Sequence, residues 1–163
     1  MVSAWPEPVE RVSSFLRESG AEARIQEFAD GTPTAADAAT AVGCSLDQIV
    51  KSLVLVCDGR PVVALVPGDR RGDPAKLAQA LGAESARVAS AAEVEQATGF
   101  PPGAVAPFPL PNVDSVFMDR ALLQHALVWA GAGSARHMVG IAPVELGRLA
   151  RAKPMDIVAD RPH

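Results

Sequence analysis

A chain of 163 residues, 48% hydrophobic and 21% charged, is long enough to bury a real core and too apolar for wholesale disorder. Its formal net charge of −4 argues against a protein that coats nucleic acid through a broad basic face. The reactive inventory is thin, with 3 His, 2 Cys, no Tyr and only three lysines among 15 basic residues.

Residues 6–19 read as a first helix: Pro6 suits an early helical position, and Val9, Val12, Phe15 and Leu16 recur at helical spacing before Gly20. Residues 23–28 alternate as a short strand, closed by Asp30-Gly31. Residues 34–42 predict a helix capped by Thr34 and stopped at Gly43, followed by a short turn of helix from Ser45 to Gln48. Residues 49–57 (IVKSLVLVC) and 61–66 are β-branched and apolar around Asp58-Gly59-Arg60, which reads as a hairpin. Residues 68–73 form a charged loop. Residues 74–81 predict a helix between Pro74 and Gly82, 86–89 a strand, and 90–98 a helix with Ser90 and Glu93 at capping-box spacing. Five prolines between residues 99 and 112 exclude helix or central strand there. Beyond them lie a strand at 113–118, a short helix at 119–124 and a strand at 127–130. Gly131-Ala132-Gly133-Ser134 reads as a turn into a strand at 137–141. A helix at 143–150 and an edge strand at Ile157-Val158 complete the chain. No internal repeat or domain boundary is visible. Hairpins mixed with separate helices predict a single α+β domain over residues 1–163, with a mostly antiparallel or mixed sheet.

Several chemistries are excluded. Cys44 and Cys57 lie far from any histidine, so no zinc site or other metal site is readable. No nucleophile elbow, Walker loop or dinucleotide fingerprint is present, and no cofactor is expected. Residues 1–8 hold no cationic apolar segment, and no apolar run reaches about 18 residues. The expectation is a reduced, cytoplasmic protein with no membrane partner. His125 and His137 read as ordinary surface or half-buried residues, and the third, His163, as a frayed terminus.

Four features are left to carry chemistry. Lys51 sits inside the most apolar strand, sharing one face with Leu53, Leu55 and Cys57. The plain reading is a lysine whose head snorkels to water; the functional one is a cation at a pocket mouth, holding an anion, a carbonyl or a ribose oxygen. In the Pro/Gly loop, Gly103 permits positive φ, and the N–H groups of Ala104, Val105 and Ala106 are available as an oxyanion hole without side chains. The plain reading there is a rigid connector. Gly131-Ala132-Gly133-Ser134 and Arg70-Arg71 are a small-residue turn and an exposed cationic point suited to a phosphate; alone, each is only a loop.

In order, these stretches resemble one family. They are Thr-Ala-Ala-Asp-Ala-Ala at 34–39, Gln-Ile-Val-Lys-Ser-Leu at 48–53, the strand at 62–67, Leu77-Ala78 with Leu81-Gly82, and Thr98-Gly99-Phe100. Gly103, Ala106-Pro107-Phe108 and Val116-Phe117-Met118-Asp119 follow. The set is similar to the YbaK/ProX family of aminoacyl-tRNA deacylases over about residues 20–150. The resemblance implies a compact domain with a mixed, barrel-like sheet surrounded by helices. It implies hydrolysis, in trans, of the ester of a tRNA mischarged with a small amino acid such as Cys, Ala, Ser or Pro. The partners implied are the tRNA 3′ CCA end and a synthetase; monomer and dimer stay open. Lys51 would order the terminal adenosine and the ester. Gly103, Ala104 and Val105 would surround the carbonyl, and Thr34, Ser52, Ala106, Pro107, Gly131 and Gly133 would bind substrate.

The chain departs from the family pattern where that loop often reads Gly-Gly-x-Ser-Pro-Phe-Gly: Ala104 and Ala106 replace the second Gly and the Ser, and Pro109 the last Gly. Gly131-Ala132-Gly133 stands where some branches carry Gly-His-Pro, with His137 near by in a strand. The second hypothesis is therefore a non-catalytic module binding a tRNA end or a synthetase. A generic small-ester hydrolase, lacking a nucleophile motif, ranks third.

Overall fold

The computed structural model describes residues 5–160. Residues 1–4 of the N-terminal segment and His163 lie outside the described residues. Helix α1 (Glu7–Glu18) buries Val9, Val12 and Leu16 on one side, as its spacing predicts. Strand β1 (Arg24–Glu27) leads to α2 (Ala35–Val42), where the Thr34 hydroxyl accepts the Asp37 N–H and Gly43 closes the end. A 3₁₀ turn (Leu46–Gln48) enters β2 (Ile49–Cys57), which pairs antiparallel with β3 (Arg60–Pro67) across the predicted hairpin. Next come α3 (Pro74–Leu81), β4 (Ala86–Val88) and α4 (Ala91–Thr98). The Ser90/Glu93 capping box forms at the start of α4. After the Pro/Gly loop come β5 (Ser115–Asp119), a 3₁₀ helix (Arg120–Gln124), β6 (Val128–Ser134), β7 (His137–Ile141), α5 (Pro143–Ala150) and β8 (Ala152–Met155).

The fold is mixed α+β. One sheet runs β1-β7-β6-β2-β3-β5-β8, with β4 on the far end of β2. The pairs β2–β6, β3–β5 and β5–β8 are parallel and the rest antiparallel. β3 explains its own sequence. Val63 and Leu65 enter the main core with Val12, Phe100 and Phe108, while Val62, Ala64 and Val66 enter a second core with Leu55, Leu77 and Phe117. A strand buried on both faces needs a continuous apolar run.

Two expectations are corrected. Gly131–Ser134 is not a turn; β6 continues through it with a register irregularity, and the reversal falls at Ala135-Arg136. Small residues there serve close packing. The last strand is Ala152–Met155 rather than Ile157-Val158, which contributes a single bridge from Val158 to Gly72.

Buried Asp119 locks the end of β5. Its carboxylate accepts the Ala121 and Ile157 N–H groups, both at 3.1 Å. Asp119→Ala leaves the buried Ile157 N–H without this acceptor, so a loss of about 1–3 kcal/mol is expected, read as a lower urea midpoint at unchanged slope.

Candidate active site

A cavity of about 220 Å³ opens where α2, the start of β2, the Pro/Gly loop and the β6–β7 reversal meet. Pockets for drug-sized ligands run about 300–1,000 Å³. This cavity is smaller than that range.

Lys51 enters the wall from β2. It is half-buried, and its ammonium donates to the Arg70 carbonyl at 2.6 Å. A lysine has three donors, so this bond fixes the head and leaves two N–H bonds for other acceptors. Burial pushes the Lys51 ammonium below the usual lysine range; Asp69 opposes that shift and Arg71 adds to it. A partly desolvated cation acts through a lower effective dielectric than a surface one. The plain reading of a freely snorkelling head does not describe this geometry. The loop that holds it is itself tied down: the Arg70 guanidinium donates to the Ala159 carbonyl at 2.7 Å, and the Ala159 N–H donates to the Arg71 carbonyl at 2.8 Å. Arg70 is thus engaged in structure, not the open cationic point its sequence predicts, while Arg71 is exposed.

Gly103 and Val105 bring the Pro/Gly loop into the wall of the same cavity. Gly103 has φ +83 with nothing within 4 Å of an added Cβ, so the backbone conformation, not crowding, calls for glycine. The Ala104 N–H does not serve an oxyanion here, because it donates to the Pro101 carbonyl at 3.0 Å. Ala106 is fully buried in the core, and Pro107 lines a separate groove with Phe15 and Arg151. Thr34, Ser52 and Gly131 do line the cavity. An added Cβ on Gly131 would meet the Val105 carbonyl at 3.3 Å, so its bareness lets the loop press onto β6. Gly133, with φ +101, instead packs against α1, where a Cβ would lie 2.9 Å from the Pro8 carbonyl carbon. Ala104, Ala106, Pro107 and Gly133 therefore stand behind the wall and shape it.

Sequence reasoning gave Ser134 only a place in the small-residue turn, and it ranked His137 last among the pocket residues. Both line the cavity. The Ser134 hydroxyl lies 2.6 Å from His137 Nδ1. His137 Nε2 lies 3.6 Å from the Glu27 carboxylate, with His137 2% and Glu27 54% exposed. The signal that would have found the pair is the Ser-x-x-His spacing across a two-residue reversal, which puts the two residues opposite each other in the β6–β7 ladder. Among the described residues, no group of three or more His, Cys, Asp or Glu is placed to hold a metal.

Residues 29–149 match the aminoacyl-tRNA editing domain. The chain belongs to that family. The resemblance read from the sequence holds, and so does the expected fold. A solved structure of a candidate trans-editing enzyme for prolyl-tRNA synthetase superposes with a TM-score of 0.90 at 33% identity, covering 96% of this chain and all of that one. The protein YwhH of Bacillus subtilis is 32% identical over 143 residues, 87% of this chain and 90% of its own length. The proline–tRNA ligase of Nitratidesulfovibrio vulgaris strain DP4 is 42% identical over 92 residues, which cover 56% of this chain. The editing-domain chain spans only 16% of that ligase. Among its described residues, no helix is long and apolar enough to cross a membrane.

Proposed function

We propose that the protein is an aminoacyl-tRNA deacylase acting in trans, in the cytoplasm, on a tRNA mischarged with a small amino acid of the Cys, Ala, Ser or Pro type. One observation carries the reading: a fixed, half-buried lysine and a glycine-bearing backbone loop line the same small cavity in an editing-domain fold. The cavity volume supports a 3′ aminoacyl end with a short side chain. A hydrophobic site separates amino acids differing by one methylene only about 10–200-fold, so synthetases mischarge small residues and a second hydrolytic step is useful.

In this reading the CCA end enters beside Lys51. The ammonium orients the ester and the terminal ribose and stabilises charge that develops on oxygen, while Gly103 and Val105 line the same cavity. A protonated lysine is a poor base, so Lys51 works by position and field. The ester is already labile, which makes positioning a large share of the catalysis. Residues 1–163 act as one domain. The ligase relatives support a prolyl-tRNA synthetase as the partner that releases the substrate.

The non-catalytic binding module is the second reading, favoured by one observation: the Ala104 N–H is already taken by Pro101. A panel of tRNAs charged with Cys, Ala, Ser and Pro separates the two. Ester loss well above the spontaneous rate for at least one of them is expected. Saturable tRNA binding with no ester loss across the panel would sink the deacylase and establish the module.

A further inference from the structure

The cavity as described lacks a base. Lys51 is a cation, and among the described residues no aspartate or glutamate lines the walls. Two residues that face it supply a proton path outward. The Ser134 hydroxyl is 2.6 Å from His137 Nδ1 and also accepts the Arg136 N–H at 3.0 Å. Among the described residues, buried His137 Nε2 has no hydrogen-bond partner, and the Glu27 carboxylate lies 3.6 Å away. A carboxylate only accepts, so the tautomer that places a proton on Nε2 is the favourable one. Nδ1 is then a bare acceptor, and the Ser134 proton points to it. The order is hydroxyl, imidazole, carboxylate, the arrangement in which an imidazole takes a hydroxyl's proton in unrelated hydrolases. The strand ladder builds it: Glu27 pairs with His137 between β1 and β7, and His137 pairs with Ser134 between β7 and β6.

We propose that Ser134, His137 and Glu27 form a proton relay that serves as the general base for the attacking water. The proposal rests on the deacylase reading and assigns its missing group. Water oxygen bonds to the ester carbon while one water proton passes to Ser134 Oγ and the Ser134 proton passes to His137 Nδ1. When the bond from that carbon to the ribose oxygen breaks, the proton returns by the same path to the departing oxygen. Nothing else is consumed. Glu27 faces the transient imidazolium from β1 and Arg136 acts on it from the reversal, Lys51 of β2 lines the same cavity, and the Trp5 ring lies edge-on to His137 with centroids 5.3 Å apart. Burial holds the His137 imidazole below the usual histidine range; Glu27 opposes that shift and Arg136 adds to it. The resting imidazole is neutral near pH 7, as a base must be.

The test uses the full chain and the panel member hydrolysed fastest. Ser134→Ala is expected to lower kcat by about 100-fold or more with KM within about threefold, the range of general-base loss. Wild-type kcat falls on the acid side as His137 takes up its proton. Glu27→Gln removes the anion that favours the imidazolium, so the acid limb moves to lower pH; a purely structural role would not move it. Nitrogen NMR of ¹⁵N-labelled protein at pH 7.5 is expected to show His137 protonated at Nε2 and bare at Nδ1, with His137→Asn identifying the signal. Kcat of Ser134→Ala within threefold of wild type, coincident acid limbs, or a proton on Nδ1 would each overturn the relay alone. An inactive wild type across the whole panel would overturn the deacylase reading and the relay with it.

Discussion

Lys51→Ala is expected to lower kcat/KM for deacylation by about 100–1,000-fold, equal to about 2.7–4 kcal/mol of lost transition-state stabilisation, the range for removing one preorganised donor. The fold should survive. Lys51 is only half-buried and donates to the Arg70 carbonyl, so a change of about 1 kcal/mol in unfolding free energy is the scale to expect. Lys51→Met separates the two contributions, because it keeps an unbranched apolar stem and removes the charge. It should be as inactive as Lys51→Ala and unfold near the wild-type urea midpoint. Lys51→Arg should restore little: a planar guanidinium is larger than the ammonium and spreads its donors over a fork. Activity in Lys51→Met equal to wild type would remove the lysine from the mechanism.

The second large effect lies behind the cavity rather than in it. Phe108 is 1% exposed and stacks on Phe15 of α1 with ring centroids 5.3 Å apart. Phe100, fully buried, carries the Arg11 guanidinium 4.5 Å above its ring. These two aromatics pin both ends of the segment that carries Gly103 and Val105. Phe108→Ala should cost about 3–5 kcal/mol, a large share of the roughly 5–15 kcal/mol that holds a typical domain together. Equilibrium urea unfolding measures it. At 15 °C, where the variant stays folded, kcat/KM should still fall about tenfold or more, since small misplacements of a positioning loop are costly. Full activity in the folded variant would show that the loop is not part of the site.

What was legible in the sequence was local. The caps of α2, α3 and α4 lie within a few residues of the helices they start, and the β2–β3 hairpin announces itself by two apolar runs around one turn. Lys51 stood out because a cation in an apolar strand calls for a reason, and Gly103 because proline-rich backbone is rigid. The misses were non-local. β8 carries no strand signature in Ala-Lys-Pro-Met and exists through its parallel pairing with β5. Gly131–Ser134 reads as a turn by composition and becomes strand because β7 pairs with it. Glu27 could not be joined to His137 without the β1–β7 register, which no short window of sequence contains. The resemblance to the editing family supplied the overall arrangement but not the Ala104 bond to Pro101 or the bond that ties Arg70 to Ala159.

That last bond has a consequence in time. Chains are made from the N-terminus, and early segments exist before late ones. β2 and its lysine precede Ala159 by about a hundred residues of synthesis, yet Ala159 holds the loop whose carbonyl steadies the lysine head. The hairpin can form early, while its lysine head gains a fixed position only after the C-terminal segment has docked. This wall of the cavity is thus a late-maturing part of the molecule, and a half-made chain carries the lysine before its head is held.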